Sequence, residues 1–121
     1  MSKVVIHEHE ALRAGWHHDL RLERNGVLKS WAVPKGVPEE SGVRRIAMPV
    51  EDHALSYGKF EGKIPKGQYG AGKVRIWDRG TYEMKSWGDT KIEVTFHGKR
   101  LIGDYVLRWM ERMNSWLLWK C

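Results

Sequence analysis

The segment Trp16-His17-His18-Asp19-Leu20-Arg21-Leu22 puts an imidazole, a carboxylate and a guanidinium at alternate positions. In an extended strand alternate side chains share a face. His17, Asp19 and Arg21 therefore project together, and His18, Leu20 and Leu22 project the other way. Leu20 and Leu22 belong in a core, so the polar face meets solvent or lines a cavity. Imidazole and carboxylate are ligands for borderline and hard divalent metals. A guanidinium beside them offers a planar fork of donors that suits a phosphate. The competing reading is a solvated strand face on which His-x-Asp falls by chance.

Two more clusters bear on that choice. One is Val50-Glu51-Asp52-His53, with Tyr57 four residues on; the other is His7-Glu8-His9-Glu10. Five of the six histidines lie in the first 53 residues, and His97 stands apart as a surface residue. Histidine is the commonest metal ligand and donates to phosphate near neutral pH. A further ligand from the His7–Glu10 segment is reasonable, but His7 and His9 share a face of an extended segment, and period alone does not choose between them.

Such residues must be held by strands. Asn25-Gly26 is a two-residue hairpin turn, since both positions of that turn take positive φ. The strand through Leu20 and Leu22 enters it, and Val27 to Val33 returns until Pro34. Further strands are expected over Arg44–Glu51, with Pro49 marking an edge or end, and over Lys73–Trp77, Thr81–Trp87, Lys91–Phe96, Gly103–Met110 and Ser115–Trp119. Asp78-Arg79-Gly80 and Gly88-Asp89-Thr90 read as turns. Lys59 to Gly72 reads as a loop, with four glycines and one proline. A short helix near Glu10 to Gly15 is the only one expected. Short, evenly spaced strands predict an all-β, mainly antiparallel fold: a compact closed or partly closed β-barrel, one domain over residues 1–121, with at most one or two short helices. Trp31, Trp77, Trp87, Trp109, Trp116 and Trp119 sit on these strands as core or lining residues, whereas Trp16 could serve either the core or a ligand.

The chain has 121 residues, 41% hydrophobic and 30% charged, as in an ordinary globular domain rather than a disordered segment. No apolar run nears the ~20 residues of a membrane helix, and Met1 to Val5 lacks a signal-peptide layout. The single cysteine, Cys121, rules out a disulfide within the chain, and the expected home is the cytoplasm. A net charge of +6 fits a polyanionic partner. Lys59, Lys63, Lys66 and Lys73 flank the glycine-rich loop, either as a solvated rim or as a strand-binding groove. Gly67-Gln68-Tyr69-Gly70-Ala71-Gly72 could cradle phosphates through its amides, but lacks a Walker lysine and a following helix, so an ordinary tight loop is favoured.

Taken in order, these pieces resemble one family. His9-Glu10-Ala11, His17-His18-Asp19-Leu20-Arg21-Leu22-Glu23 and Gly26-Val27-Leu28-Lys29-Ser30-Trp31-Ala32-Val33-Pro34-Lys35-Gly36 look like the phosphoesterase module of bacterial DNA ligase D, the end-joining ligase. The likeness continues through Val50-Glu51-Asp52-His53 with Tyr57, Phe60-Glu61-Gly62-Lys63-Ile64-Pro65, Gly67 to Gly72, Trp77-Asp78-Arg79-Gly80 and Trp116 to Lys120, which is nearly the whole chain. The resemblance implies a β-barrel hydrolase that processes the 3′ ends of DNA or RNA-containing primer-templates in strand-break repair. It implies a divalent metal, Mn²⁺ first, although Zn²⁺ and other divalent ions suit the same ligands. Carried over by motif, His9, His17 and Asp19 would bind the metal. Arg21, His53 and Tyr57 would contact the phosphate, Lys35 and Arg45 would support the substrate, and Glu51 would orient a ligand or a water.

Two departures qualify this. His9 and His17 are spaced wider than is usual in the family. The charged residues that precede the motif in longer members are missing, so removal of a 3′-phosphate is expected ahead of removal of a terminal ribonucleoside. With no ligase or polymerase domain in the sequence, any such partner would be a separate chain. Two other classes are compatible with parts of the pattern: a non-catalytic nucleic-acid-binding barrel, and a non-haem Fe(II) oxygenase using His17, Asp19 and a distal His53.

Overall fold

The computed structural model describes all 121 residues. Nine antiparallel strands follow one another: β1 (Ser2–Ala11), β2 (Gly15–Arg24), β3 (Val27–Val33), β4 (Arg44–Ala54), β5 (Gly62–Ile64), β6 (Gly72–Trp87), β7 (Lys91–His97), β8 (Ile102–Met110) and β9 (Ser115–Lys120). The lateral order is β1-β2-β3-β4-β9-β8-β7-β6, and β6 pairs back onto β1. The result is a closed eight-stranded barrel with β5 added outside the first residues of β6. Closure removes the free sheet edges that would otherwise invite pairing with other chains.

Closure depends on β6, which at 16 residues is long enough to change partners. Its first part lies against β1 and β5, and from Thr81 onward it pairs with β7. Between Ile6 and His7 the β1–β6 register shifts, so that Ile6 faces Asp78 and His7 faces Ile76. Trp77 is the extra residue of this bulge. A bulge bends and twists a strand; this one lies in β6, and β1 keeps its alternation, with Val4 and Ile6 inward and Val5, His7 and His9 outward. The core inside the barrel includes Leu20, Leu22, Trp31, Phe96, Tyr105 and Leu118, with Trp77, Trp87 and Trp116 packed against it.

The hairpin at Asn25-Gly26 forms as expected, with φ of 52° and 82°. Three expectations are corrected. Residues Glu10 to Gly15 form no helix: the β1–β2 ladder runs out to Ala11 opposite Gly15, and Gly15 closes the hairpin with φ +77°. The pairing of two long strands overrides the local helix preference of Glu-Ala-Leu-Arg-Ala. Asp78-Arg79-Gly80 is not a turn either, because β6 passes straight through it. The Asp78 carboxylate instead accepts hydrogen bonds from the backbone N–H groups of Lys99 (2.9 Å), Arg100 (3.1 Å) and Leu101 (2.8 Å), bracing the β7–β8 hairpin. The stretch Lys59 to Gly72 is a loop only in part, since it contains β5.

β4 is longer than expected and carries His53. It pairs with β9 only from Arg44 to Ala47, so Pro49 sits where that flank of the strand is free, as a residue without an N–H requires. Two 3₁₀ turns, Leu55–Lys59 and Glu111–Met113, are the only helical segments, and no helix is long and apolar enough to cross a membrane.

Asp78 is buried and its bonds are charge-assisted. Asp78→Ala takes the carboxylate acceptor from four backbone donors, Arg79 included, and should cost about 2–3 kcal/mol, read as a lowered urea midpoint with an unchanged m-value.

Candidate active site

The polar face of β2 lies outside the barrel, opposite the core. The register places His9 beside His17, His7 beside Asp19, and Arg21 beside Ser30. An outer face would normally be wet, yet His7, Asp19 and Arg21 are only 0%, 5% and 3% exposed. The segment from the Leu55–Lys59 turn to Gly70 covers them. Tyr57 lies against the Arg21 guanidinium, 4.9 Å from charge to ring centre. The Phe60 and Gly70 carbonyls accept from His7 and His9.

His9, His17 and Asp19 each aim one ligand atom at a common point, all within 4.8 Å of one another. The far nitrogen of each ring is already committed. His9 Nε2 donates to the Gly70 carbonyl at 2.7 Å, and His17 Nδ1 donates to the Gly15 carbonyl at 3.2 Å. A neutral ring has one N–H, so His9 Nδ1 and His17 Nε2 present lone pairs. Each faces an Asp19 oxygen at 3.2 Å. Two lone pairs and a carboxylate repel one another unless positive charge stands among them. This is the usual arrangement by which outer carbonyls set the tautomers of metal-binding histidines. The donor set fits a divalent cation. Without one, protons take the same place: burial disfavours charged His17, but Asp19 overrides it and raises the His17 pKa. Burial likewise works against ionised Asp19, yet hydrogen bonds from His17 and His9 and the charge of Arg21 hold it far below the usual carboxylate range.

Arg21 is fixed on three sides. Its Nε donates to His7 Nδ1 at 2.9 Å, Nη1 to Ser30 Oγ at 2.9 Å, and Nη2 to Asp19 at 3.4 Å. The partners also fix His7. Arg Nε–H can only donate and the Phe60 carbonyl can only accept, so His7 is the neutral Nε2–H tautomer bridging the two at 2.9 and 3.1 Å. Burial first, and then Arg21, lower its pKa to about 4. The two histidines that period left equivalent differ in position: His9 lies in the metal-competent group and His7 bonds Arg21.

His53, paired opposite Leu28 on β4, stacks on Tyr57 at 4.3 Å, and Tyr57 stacks on Phe60 at 5.1 Å. Burial and then Arg21 lower the His53 pKa, with Glu51 acting in the opposite sense. Burial raises that of Tyr57, keeping its hydroxyl protonated. His53 is not in the three-ligand group, so the His17–Asp19–His53 triad of the alternative oxygenase reading does not form. Glu51 is exposed near His53. Lys35 stands exposed in the turn after β3. Arg45 lies on the β4 face it shares with the core residue Ala47, its Nε buried without a partner. None of these three is hydrogen-bonded to the cluster.

Ser30 and the Phe60 and Gly70 carbonyls were missed in the sequence. Ser30 was within reach, because the Asn25-Gly26 turn alone sets it opposite Arg21. The carbonyls carry no side-chain signal.

Residues 7–108 match the family model described as the DNA ligase D 3′-phosphoesterase domain. The chain belongs to this family. Among relatives in the phosphoesterase family, the multifunctional non-homologous end joining DNA repair protein LigD of Mycobacterium tuberculosis is 50% identical over 110 residues. The LigD proteins of Mycolicibacterium smegmatis and Pseudomonas aeruginosa are 46% identical over 117 residues and 54% identical over 82. These matches take in 88%, 88% and 68% of this chain but only 14%, 15% and 10% of the relatives' lengths.

Removing a buried cation leaves its partners uncompensated. Arg21→Met should destabilise the metal-free protein by roughly 3 kcal/mol, and Ser30→Ala by about 1 kcal/mol, both measured by chemical denaturation.

Proposed function

We propose that the chain is a divalent-metal-dependent 3′-phosphoesterase that clears blocked 3′ ends of DNA or RNA-containing strands during break repair. The observation that carries this reading is the convergence of His9, His17 and Asp19 beside a buried, braced guanidinium. The donor set alone is also that of non-haem iron oxygenases. Arg21 within contact of the ligand carboxylate, together with membership of the phosphoesterase family, favours phosphoryl chemistry.

A phosphate ester at neutral pH repels anionic nucleophiles, so the site must neutralise its non-bridging oxygens. His9 Nδ1, His17 Nε2 and Asp19 would hold the metal, which when bound supplies Lewis-acid charge stabilisation; the physiological ion proposed is Mn²⁺. Three of Arg21's five N–H donors are taken by His7, Ser30 and Asp19, and two remain for phosphate oxygens. Because three partners already fix the guanidinium, little reorganisation is needed when charge develops. Tyr57, protonated and packed against Arg21, donates to the same oxygens. His53, stacked on Tyr57 and held neutral by burial and Arg21, would donate to, or take a proton from, the substrate. Lys35 and Arg45 would act on the strand rather than at the reacting phosphorus.

The deciding assay uses a 5′-labelled primer-template ending in a 3′-phosphate, with Mn²⁺ or with chelator. The 3′-hydroxyl product should form only with metal. His17→Ala, Asp19→Ala and Arg21→Ala should each lose at least roughly a hundredfold in rate. Undiminished turnover in chelator would remove the metal from the mechanism, and near-normal rates in all three folded variants would move the site elsewhere. A primer ending in one ribonucleotide tests the nucleoside-removing step, which should be the slower of the two.

A further inference from the structure

One groove remains outside this machinery. It has a volume of about 560 Å³ and lies at the barrel rim, where β1 and β2 end and β6 and β5 begin. The register sets Trp16, Glu10, Lys73 and Lys63 in one row across β2, β1, β6 and β5. The neighbouring row contains His17 and His9, which project from the other face of the sheet, so the groove communicates with the metal-competent ligands around the barrel rim. Lys66 and Leu12 complete its walls.

Two features of this row bear on a ligand. Trp16 is 43% exposed although it is the largest side chain in the hairpin. Lys63, Lys66 and Lys73 are exposed and take part in no ion pair, whereas Lys29, Lys85 and Lys91 elsewhere on the sheet are each matched to an acid. Glu10 is the one acid in the groove, which leaves it net positive. The groove beyond Arg21, lined by His53, Tyr57 and Phe60, has a single lysine, Lys59.

From this we infer that the rim groove binds a frayed or unpaired 3′-terminal stretch of the substrate strand, 5′ of the scissile phosphate, with a base stacked on Trp16 and backbone phosphates against Lys63, Lys66 and Lys73. Charge complementarity selects a polyanion, and an exposed indole among lysines is the combination that holds unpaired bases. A 3′-phosphomonoester has polymer only on its 5′ side, so the more cationic of the two grooves takes it. This inference rests on the phosphoesterase reading.

Two substrates separate the groove from the reaction: a 3′-phosphorylated oligonucleotide and a nucleoside 3′-monophosphate, both with Mn²⁺. Trp16→Ala should raise KM for the oligonucleotide at least roughly tenfold, the scale of one lost base stack, and leave KM for the mononucleotide within about twofold. Trp16→Phe, which keeps a stacking ring and the packing on His18, should restore most of the loss. The triple variant Lys63→Ala/Lys66→Ala/Lys73→Ala should flatten the salt dependence of oligonucleotide binding by about two units of slope. Equal KM changes for both substrates, or no change for either, would overturn the groove. If the wild type hydrolyses neither substrate, the phosphoesterase reading fails. Anisotropy of a labelled oligonucleotide then judges the groove alone: weaker binding by the variants upholds it, and unchanged binding overturns it. Tighter capture of a polyglutamate peptide than of the oligonucleotide would overturn the choice of partner.

Discussion

Two imidazole lone pairs and one carboxylate are made to face one another across 3.2 Å, and the rest of the site follows from that forced meeting. Neither ring is free to turn away. The Gly70 carbonyl holds one and the Gly15 carbonyl the other, so both tautomers are set before any ligand arrives. Burial then raises the penalty for leaving the acceptors unneutralised, because charge is poorly screened away from water. A cation is the cheapest resolution. Without one, the protein relies on Arg21 and on protons drawn to His17.

The barrel supplies rigidity for this unfavourable arrangement. Its closed ladder fixes the β1–β2 register that places His9 opposite His17 and His7 opposite Asp19. Its leucine, tryptophan and phenylalanine interior stabilises the fold on the opposite face of the same strands. Alternation along β1 sends Val4 and Ile6 into the core and His7 and His9 to the ligand-bearing face. The Leu55–Gly70 covering segment shuts water out of the polar face. Binding machinery that opposes local stability is common in enzymes, which offset it elsewhere in the fold.

Much of this was legible in the sequence because it is local. Alternation through β2 separates Leu20 and Leu22 from His17, Asp19 and Arg21, and Asn25-Gly26 sets the β2–β3 register by turn chemistry alone. The failures share a cause: long-range pairing decides them. Glu10 to Gly15 has helix-forming composition but lies between two strands whose ladder extends through it. Asp78-Arg79-Gly80 has turn composition, but its carboxylate is used by backbone about twenty residues later in the chain. His7 and His9 cannot be told apart by period, since their roles diverge only where Phe60 and Gly70 arrive from far along the chain. Lys35, Arg45 and Glu51 came from family resemblance, and no bond in the structure ties them to the cluster.

The most direct measurement is anomalous diffraction from crystals of the protein equilibrated with Mn²⁺, collected at energies that distinguish manganese from other ions. One anomalous peak shared by His9 Nδ1, His17 Nε2 and an Asp19 oxygen, with Arg21 still bridging His7 and Ser30, is the expected result. Manganese bound elsewhere, or no peak at a saturating concentration while His9 and His17 keep their bonds to Gly70 and Gly15, would contradict a metal centre built from these three residues.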